Sequence, residues 1–398
     1  MRGEAEGDGR RAGSACHHGR VTGRPTRALV ATVVAVLLLG AAVPAASAQA
    51  TAPRRSAPGE VLEHRRIPAP PGARAWQVVY ASRDEAGDDI AVSGFVVAPD
   101  GPPPAGGRPV VAWAHATAGL GDGCAPSRGP APVDTVPWIL ELLDAGYVVA
   151  ATDYAGLGTD GIHPYLVGGS EGRSVLDSIR AARALPTGAN RKAVVYGHSQ
   201  GGHATLFAGE LAARYAPEIA LRGVAPGAAV AAPGAFIDHT IDRFGDVGFL
   251  VMGALGYQGA YPEIAAMRLL GAASADQVQA LNGCAFDIMA AFEDGDPRVV
   301  FGTDPGAVEA WQSRVRENAA GLRRSVPVMY WQGETDWLTP IDEADAYVAR
   351  ACRKGTVVDY RVYAGADHVS VLDAAHDDVL DFFASVLGGR QVRSGCGD

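Results

Sequence analysis

Arg191-Lys192-Ala193-Val194-Val195-Tyr196-Gly197-His198-Ser199-Gln200-Gly201-Gly202-His203-Ala204-Thr205-Leu206 is the stretch that decides how this chain is read. Ala193 to Tyr196 is a short apolar run with β-branched and aromatic residues, the composition of a strand buried on both faces. Gly197 to Gly201 fits G-x-S-x-G, and a helical pattern resumes after it. A strand, a sharp turn carrying a serine and a helix follow one another. A strained turn tolerates little bulk two residues either side of the serine, and glycine also reaches backbone angles that other residues avoid.

The pattern alone is weak, because glycine makes up 51 of the 398 residues. A second match exists, Gly168-Gly169-Ser170-Glu171-Gly172. The segment before it, Ile162 to Val167, contains Pro164, which argues against a central strand. Ser170 precedes a run of helical period from Arg173 to Ile179 and reads as a helix N-cap. Context therefore selects Ser199 as the nucleophile.

Working outward, Ala75–Ala81 and Ile90–Ala98 alternate as an antiparallel pair, and Pro109–Ala114 is a buried strand. A short helix over Pro137–Asp144, a strand over Tyr147–Tyr154 and a helix over Ser170–Leu185 lead to the serine turn. The helix Gln200–Tyr215 follows, then strands at Leu221–Ala231, Val326–Gln332 and Val357–Tyr363, with helices at Ile341–Cys352 and Leu372–Leu387. Strands alternating with helices predict an α/β fold, the α/β-hydrolase fold, with a mostly parallel sheet covered by helices on both faces. Residues 236–324 break the rhythm and look helical. At the carboxyl ends of the strands they are expected to form a cap over the active site rather than an ordinary excursion of the core. The hydrolase domain is expected to run over residues 71–398, cap included.

Residues 1–27 are polar with six arginines, Ala28–Gln49 carries no charge, and Ala46-Ser47-Ala48 is a small-x-small site. Residues 1–48 read as a secretory signal peptide cleaved after Ala48, with a membrane anchor as the alternative. Residues 49–70, rich in Pro, Ala and Arg, read as a flexible entry. The whole chain has a net charge of −10, and loss of the leader makes it more negative, which speaks against nucleic acid as a partner. Four cysteines remain after the leader, and an even number in an exported chain implies disulfides. Of three possible pairings, Cys124–Cys284 with Cys352–Cys396 is preferred: the first ties the front of the core to the later insertion and the second fastens the C-terminal tail. A closure as long as the first is worth about 4–5 kcal/mol in the chain-entropy account. No C-x-x-C pair or paired-histidine spacing supports zinc, and no cofactor is expected.

A serine hydroxyl needs a base, and the base needs an orienting acid, in the chain order Ser, acid, His. After Ser199 the histidines are His203, His239, His368 and His376. His368 lies in a loop between the last strand and the last helix, where the base belongs. His203 sits on the helix after the serine and is expected to pack, His239 falls in the cap, and His376 is expected to be solvated. Asp336, in Gly333-Glu334-Thr335-Asp336 after the Val326–Trp331 strand, is the expected acid, with Glu334 its closest rival. The oxyanion donors are expected to be the backbone N–H of Gln200 and Thr117, through its N–H or its hydroxyl, in the loop His115-Ala116-Thr117-Ala118-Gly119.

Together, His115-Ala116-Thr117 leading to Cys124-Ala125-Pro126-Ser127, Asp153-Tyr154-Ala155-Gly156-Leu157-Gly158, His163-Pro164-Tyr165, the Gly197–Gly202 turn and Gly333-Glu334-Thr335-Asp336 resemble the secretory lipase family. The resemblance runs from about residue 60 to the end. It implies an α/β-hydrolase with a helical cap that cleaves acylglycerol esters, with Ser199, Asp336 and His368 at the triad positions and a lipid or small ester as the partner. One departure is Ala116, where related sequences often carry glycine in His-Gly-Thr. A secreted ester hydrolase acting through an acyl-enzyme is the expected function. A short-chain carboxylesterase, a peptidase or a cell-envelope acyltransferase is possible on the same fold. A non-catalytic binding protein would be marked by a broken triad, and none is seen here.

Overall fold

The computed structural model describes residues 55–397, apart from positions 242, 244, 272–274, 304–306 and 322–325. The signal peptide expected over residues 1–48 lies outside the described residues. Nine strands form one sheet: β1 (Val61–Ile67), β2 (Ala73–Arg83), β3 (Asp89–Pro99), β4 (Arg108–Ala114), β5 (Val148–Thr152), β6 (Ala189–His198), β7 (Ala220–Gly227), β8 (Val328–Gly333) and β9 (Val358–Tyr363). Their spatial order is β1-β2-β3-β5-β4-β6-β7-β8-β9. The first three pairings are antiparallel and the other five parallel. This is the α/β-hydrolase arrangement.

The helices in chain order are α1 (Ile139–Asp144), α2 (Gly168–Ala184), α3 (Gln200–Tyr215), α4 (Pro233–Thr240), α5 (Val247–Ala260), α6 (Ala266–Leu269), α7 (Ala275–Ala280), α8 (Ala285–Ala291), α9 (Pro297–Val300), α10 (Glu309–Glu317), α11 (Ile341–Arg353) and α12 (Val371–Leu387). One face of the sheet buries Leu176 and Ile179 of α2, Leu206 of α3 and Tyr347 of α11 against Val110, Val195 and Val224. The other face buries Leu142 of α1 and Phe383 of α12 against Val111, Val194 and Tyr196. The central strands β4, β5 and β6 are apolar at successive positions because neither side of them meets water.

Two expectations change here. Within the stretch read as a flexible entry, Val61–Ile67 is ordered as the edge strand β1, antiparallel to β2. Its sequence, Val-Leu-Glu-His-Arg-Arg-Ile, places a charged, exposed row on an edge, and such a row lacks the apolar signature of a core strand while protecting the edge from further pairing. Ser170 is not an N-cap. Helix α2 begins two residues earlier, at Gly168, so Ser170 lies inside its first turn, and the residue at the cap is Val167.

Between β7 and β8 the chain departs into α4 to α10, which bury an apolar cluster of their own around Leu250, Val251, Tyr257, Ile288 and Trp311. Tyr165 and Leu166, from the turn before α2, belong to the same cluster. Disulfides join Cys124 to Cys284 and Cys352 to Cys396. The first lies beside a β-bridge between Gly119 and Cys284, with Leu120 N–H donating to Gly283 O at 3.2 Å and Ala285 N–H to Ala118 O at 2.9 Å. The loop after β4 is thus bonded to the start of α8 by both covalent and backbone links.

Candidate active site

Parallel strands present their carboxyl ends together, and four loops meet at this end of the sheet. Ser199 follows β6, Asp336 lies three residues beyond β8, His368 five beyond β9, and Thr117 three beyond β4. Ser199, Asp336 and His368 are each about 6% exposed, so the site is nearly closed.

Ser199 has φ 58° and ψ −118°, a strained conformation for a residue with a Cβ. Its N–H donates to Gly227 O at 2.9 Å, which holds the turn against β7. The flanking glycines serve close approach rather than unusual dihedrals. A Cβ on Gly201 would lie 1.9 Å from Ala114 O, and one on Gly197 would lie 2.3 Å from Gly201 O. The positive φ belongs to the serine and the tight packing to the glycines, a division of labour the pattern did not disclose.

His368 Nδ1 sits 2.9 and 3.0 Å from the two oxygens of Asp336. Asp336 also accepts from the N–H of Leu338 at 2.9 Å, the N–H of Thr339 at 2.8 Å, the Thr339 hydroxyl at 2.9 Å and Gln332 Nε2 at 3.1 Å. Burial alone would raise the carboxyl's pKa. The hydrogen bond to His368, its charge and the Thr339 donors outweigh that and hold it below the usual carboxylate range. An ionised Asp336 on Nδ1 keeps the proton there and leaves Nε2 of His368 as the free base. Glu334, the rival acid, instead accepts from Gly365 N–H at 2.8 Å on the exposed side of the loop.

His198, the residue before the serine, was not singled out from sequence. Its Nε2 donates to His368 O at 2.7 Å, its ring lies 4.6 Å from the His368 ring, and it stacks on Trp331 at 5.9 Å. Burial, with the nearby His368, pushes its pKa down to about 3, so it is a neutral brace linking the serine turn to the loop that carries His368. His239 on α4 donates from Nε2 to Trp337 O at 2.9 Å and so ties the helical excursion to the loop that carries Asp336. His203 is fully buried, bonded to Glu171 and to Asn318 O. His376 is not simply solvated: it packs on Trp138 at 5.4 Å and pairs with Asp377 at 2.9 Å.

Thr117 places its hydroxyl 2.9 Å from that of Tyr165. The Gln200 side chain is buried, 2.9 Å from His163 Nε2 and 2.8 Å from Glu171 Oε1. His163 and Tyr165 were visible in sequence only as a motif, and Glu171 only as part of the second G-x-S-x-G match. Among the described residues no group of three His, Cys, Asp or Glu is placed to hold a metal ion.

The sequence profile of the secretory lipase family matches residues 133–393. The chain belongs to the secretory lipase family. Lipase A of Moesziomyces aphidis is 26% identical over 377 residues, spanning 86% of this chain and 79% of that protein. The closed state of Candida antarctica lipase A superposes with a TM-score of 0.72 at 22% identity, covering 86% of this chain and 85% of that one. The rice cell wall degrading esterase LipA from Xanthomonas oryzae superposes with a TM-score of 0.67 at 20% identity, covering 84% and 100%. This member of the secretory lipase family is therefore a carboxylic ester hydrolase. Family membership and the two disulfides mark it as a secreted protein.

Proposed function

We propose that this secreted hydrolase cleaves acylglycerol esters, with Ser199 as nucleophile, His368 as general base and Asp336 as the acid that orients it. The observation that carries the reading is the Asp336 carboxylate on His368 Nδ1, at the same sheet end as a serine held at φ 58°. His368 Nε2 takes the Ser199 proton as Oγ bonds to the ester carbonyl carbon, and the carbonyl electrons move onto its oxygen. The backbone N–H of Gln200 and the Thr117 donor receive that oxyanion. Collapse expels the alcohol, which takes the proton from His368 and leaves an acyl-Ser199. Water, deprotonated by His368, then releases the fatty acid and restores the serine.

Helices α4 to α10 act as the cap, the hydrolase domain takes in β1 from Val61 as well as residues 71–398, and the leader is removed after Ala48. The cap helices enclose a small apolar cleft lined by Leu166, Phe236, Ile237, Phe249, Tyr257 and Trp311, and although no triad residue lines it, this apolar cap favours a lipid acyl group over a polar one. The test is hydrolysis of p-nitrophenyl esters from acetate to palmitate beside a triglyceride emulsion. Turnover of palmitate and emulsion, abolished by Ser199→Ala, is expected. Turnover confined to acetate and butyrate would make the enzyme a short-chain esterase, acyl transfer to an added alcohol in excess of hydrolysis would make it an acyltransferase, and full activity in Ser199→Ala would overturn the mechanism.

A further inference from the structure

Both proposed oxyanion donors are held by one short turn that the mechanism itself does not use. We infer that His163-Pro164-Tyr165 is a shared positioning strut, with His163 setting the Gln200 donor and Tyr165 setting the Thr117 loop. The inference rests on the reading of Gln200 and Thr117 as oxyanion donors.

The first arm follows from proton placement. His163 Nδ1 lies 2.9 Å from Ala155 O, which can only accept, so Nδ1 carries the proton and Nε2 offers a lone pair. Gln200 Nε2, 2.9 Å away, donates to it and gives its other hydrogen to Glu171 Oε1 at 2.8 Å. A flipped amide would turn the Gln200 oxygen toward this carboxylate and this lone pair, so only one orientation of the side chain fits. Burial lowers the His163 pKa to about 4, against the opposing pull of Glu171, so the ring is neutral at physiological pH and remains an acceptor. Gln200 is the first residue of α3, next to the nucleophile, and fixing its side chain at two points limits rotation of its peptide N–H.

The second arm is the Tyr165 hydroxyl, 2.9 Å from Thr117 Oγ1. Burial raises the phenol's pKa, so it stays protonated and able to donate. The arms are rigidly connected: Tyr165 N–H donates to His163 O at 2.8 Å across Pro164. Tyr154 reinforces the turn, stacking on the His163 ring at 5.8 Å while its hydroxyl donates to His115 O at 3.0 Å, at the start of the oxyanion loop. Two donors from separate segments, the start of α3 and the loop after β4, thus share one reference point, the condition for a hole whose geometry is fixed before charge develops.

The test uses the full-length secreted enzyme and separates kcat from KM. Tyr165→Phe keeps the ring and removes the hydroxyl. It is expected to lower kcat about tenfold with KM within twofold, and to weaken binding of an alkyl boronic acid, a mimic of the tetrahedral adduct, by a similar factor. Thr117→Val should do the same, and Tyr165→Phe made in Thr117→Val should add less than twofold, since both remove one link. His163→Leu should cost about 30-fold in kcat, with His163→Gln, which restores an acceptor for Gln200, recovering most of it. Should Tyr165→Phe fail to fold, the His163→Gln and His163→Leu pair carries the same test. An unchanged kcat and boronate affinity in Tyr165→Phe, fully multiplicative losses in the double variant, or equal losses in His163→Gln and His163→Leu would each overturn the strut. Any of these beside an inactive Ser199→Ala would leave the proposed mechanism standing and remove only this inference.

Discussion

The chain contains the same five-residue pattern twice, and the two copies have opposite fates. In Gly197–Gly201 the serine ends a buried strand and takes φ 58°, with its backbone clamped to Gly227. In Gly168–Gly172 the serine lies inside the first turn of α2, is 1% exposed, and its hydroxyl finds no hydrogen-bond partner among the described residues. The glycines differ as well. Those of the first copy make room for the backbone at the end of β4, whereas those of the second make room for helix α3: the Phe207 ring against Gly168, and the backbone of Phe207 and Ala208 against Gly172. A motif's chemistry is set by the element that precedes it, because only a strand running straight into a helix produces the strained serine. The second copy still serves the first, since its Glu171 holds both Gln200 and His203.

The largest effect that separates the copies is on turnover. Ser199→Ala should lower kcat on the order of 10⁶-fold, measured by p-nitrophenyl ester hydrolysis, with the urea midpoint little changed. Loss of activity in Ser170→Ala instead would reverse the assignment of the two copies. Next is Asp336→Asn, expected to cost about 10⁴-fold in kcat by stabilising the wrong His368 tautomer. Because the folded Asp336 titrates below its unfolded value, the stability it lends is complete above about pH 4 and disappears as pH falls through the lower folded value. Urea midpoints of wild type and Asp336→Asn should therefore converge only below about pH 4.

Glu171→Ala probes the supporting role of the second copy. It leaves His203, Gln200 and the Leu166 N–H without their acceptor in a fully buried place, and a loss of about 3–5 kcal/mol is expected from urea unfolding. The smallest effect is expected for Ser170→Ala, with activity within twofold and stability within about 0.5 kcal/mol, since the hydroxyl makes no bond that would be lost. A loss above 2 kcal/mol would show that the buried hydroxyl has a partner and sharpen the contrast in the other direction.

The central strands and the sites of Ser199, Asp336, His368 and the cysteines were legible because each follows from local pattern: an apolar run, a strand end, a loop before the last helix. What escaped depends on partners remote in sequence. Edge strand β1 has a charged face, and its strand character comes from pairing with β2. His198 looked like a filler within the motif, and its role appears only when β9 brings His368 O to it, 170 residues later. Glu171 and Asn318 carry no local mark of burial; α2, α3 and the end of α10 create the pocket that buries them. The expectation for Ser170 failed because helix α2 starts on two glycines, residues of poor helical propensity that here permit close packing against Phe207 and Glu85.

The two disulfides also sort the proposed catalytic groups. The Cys124–Cys284 bond closes a covalent ring that contains Ser199, the Cys352–Cys396 bond closes a second that contains His368, and Asp336 lies on the open chain between them. Between the rings the sheet is joined at β7 and β8, whose register rests on Val224 opposite Val328 and Gly227 opposite Trp331. Heat or detergent that parts this seam would separate nucleophile from base while each stays within its own ring. Recovery would then require α12 to repack on Val194 and Tyr196 and His198 to regain His368 O as well as the seam to close, so the rings hold each loop locally while the pairing of nucleophile and base depends on non-covalent packing.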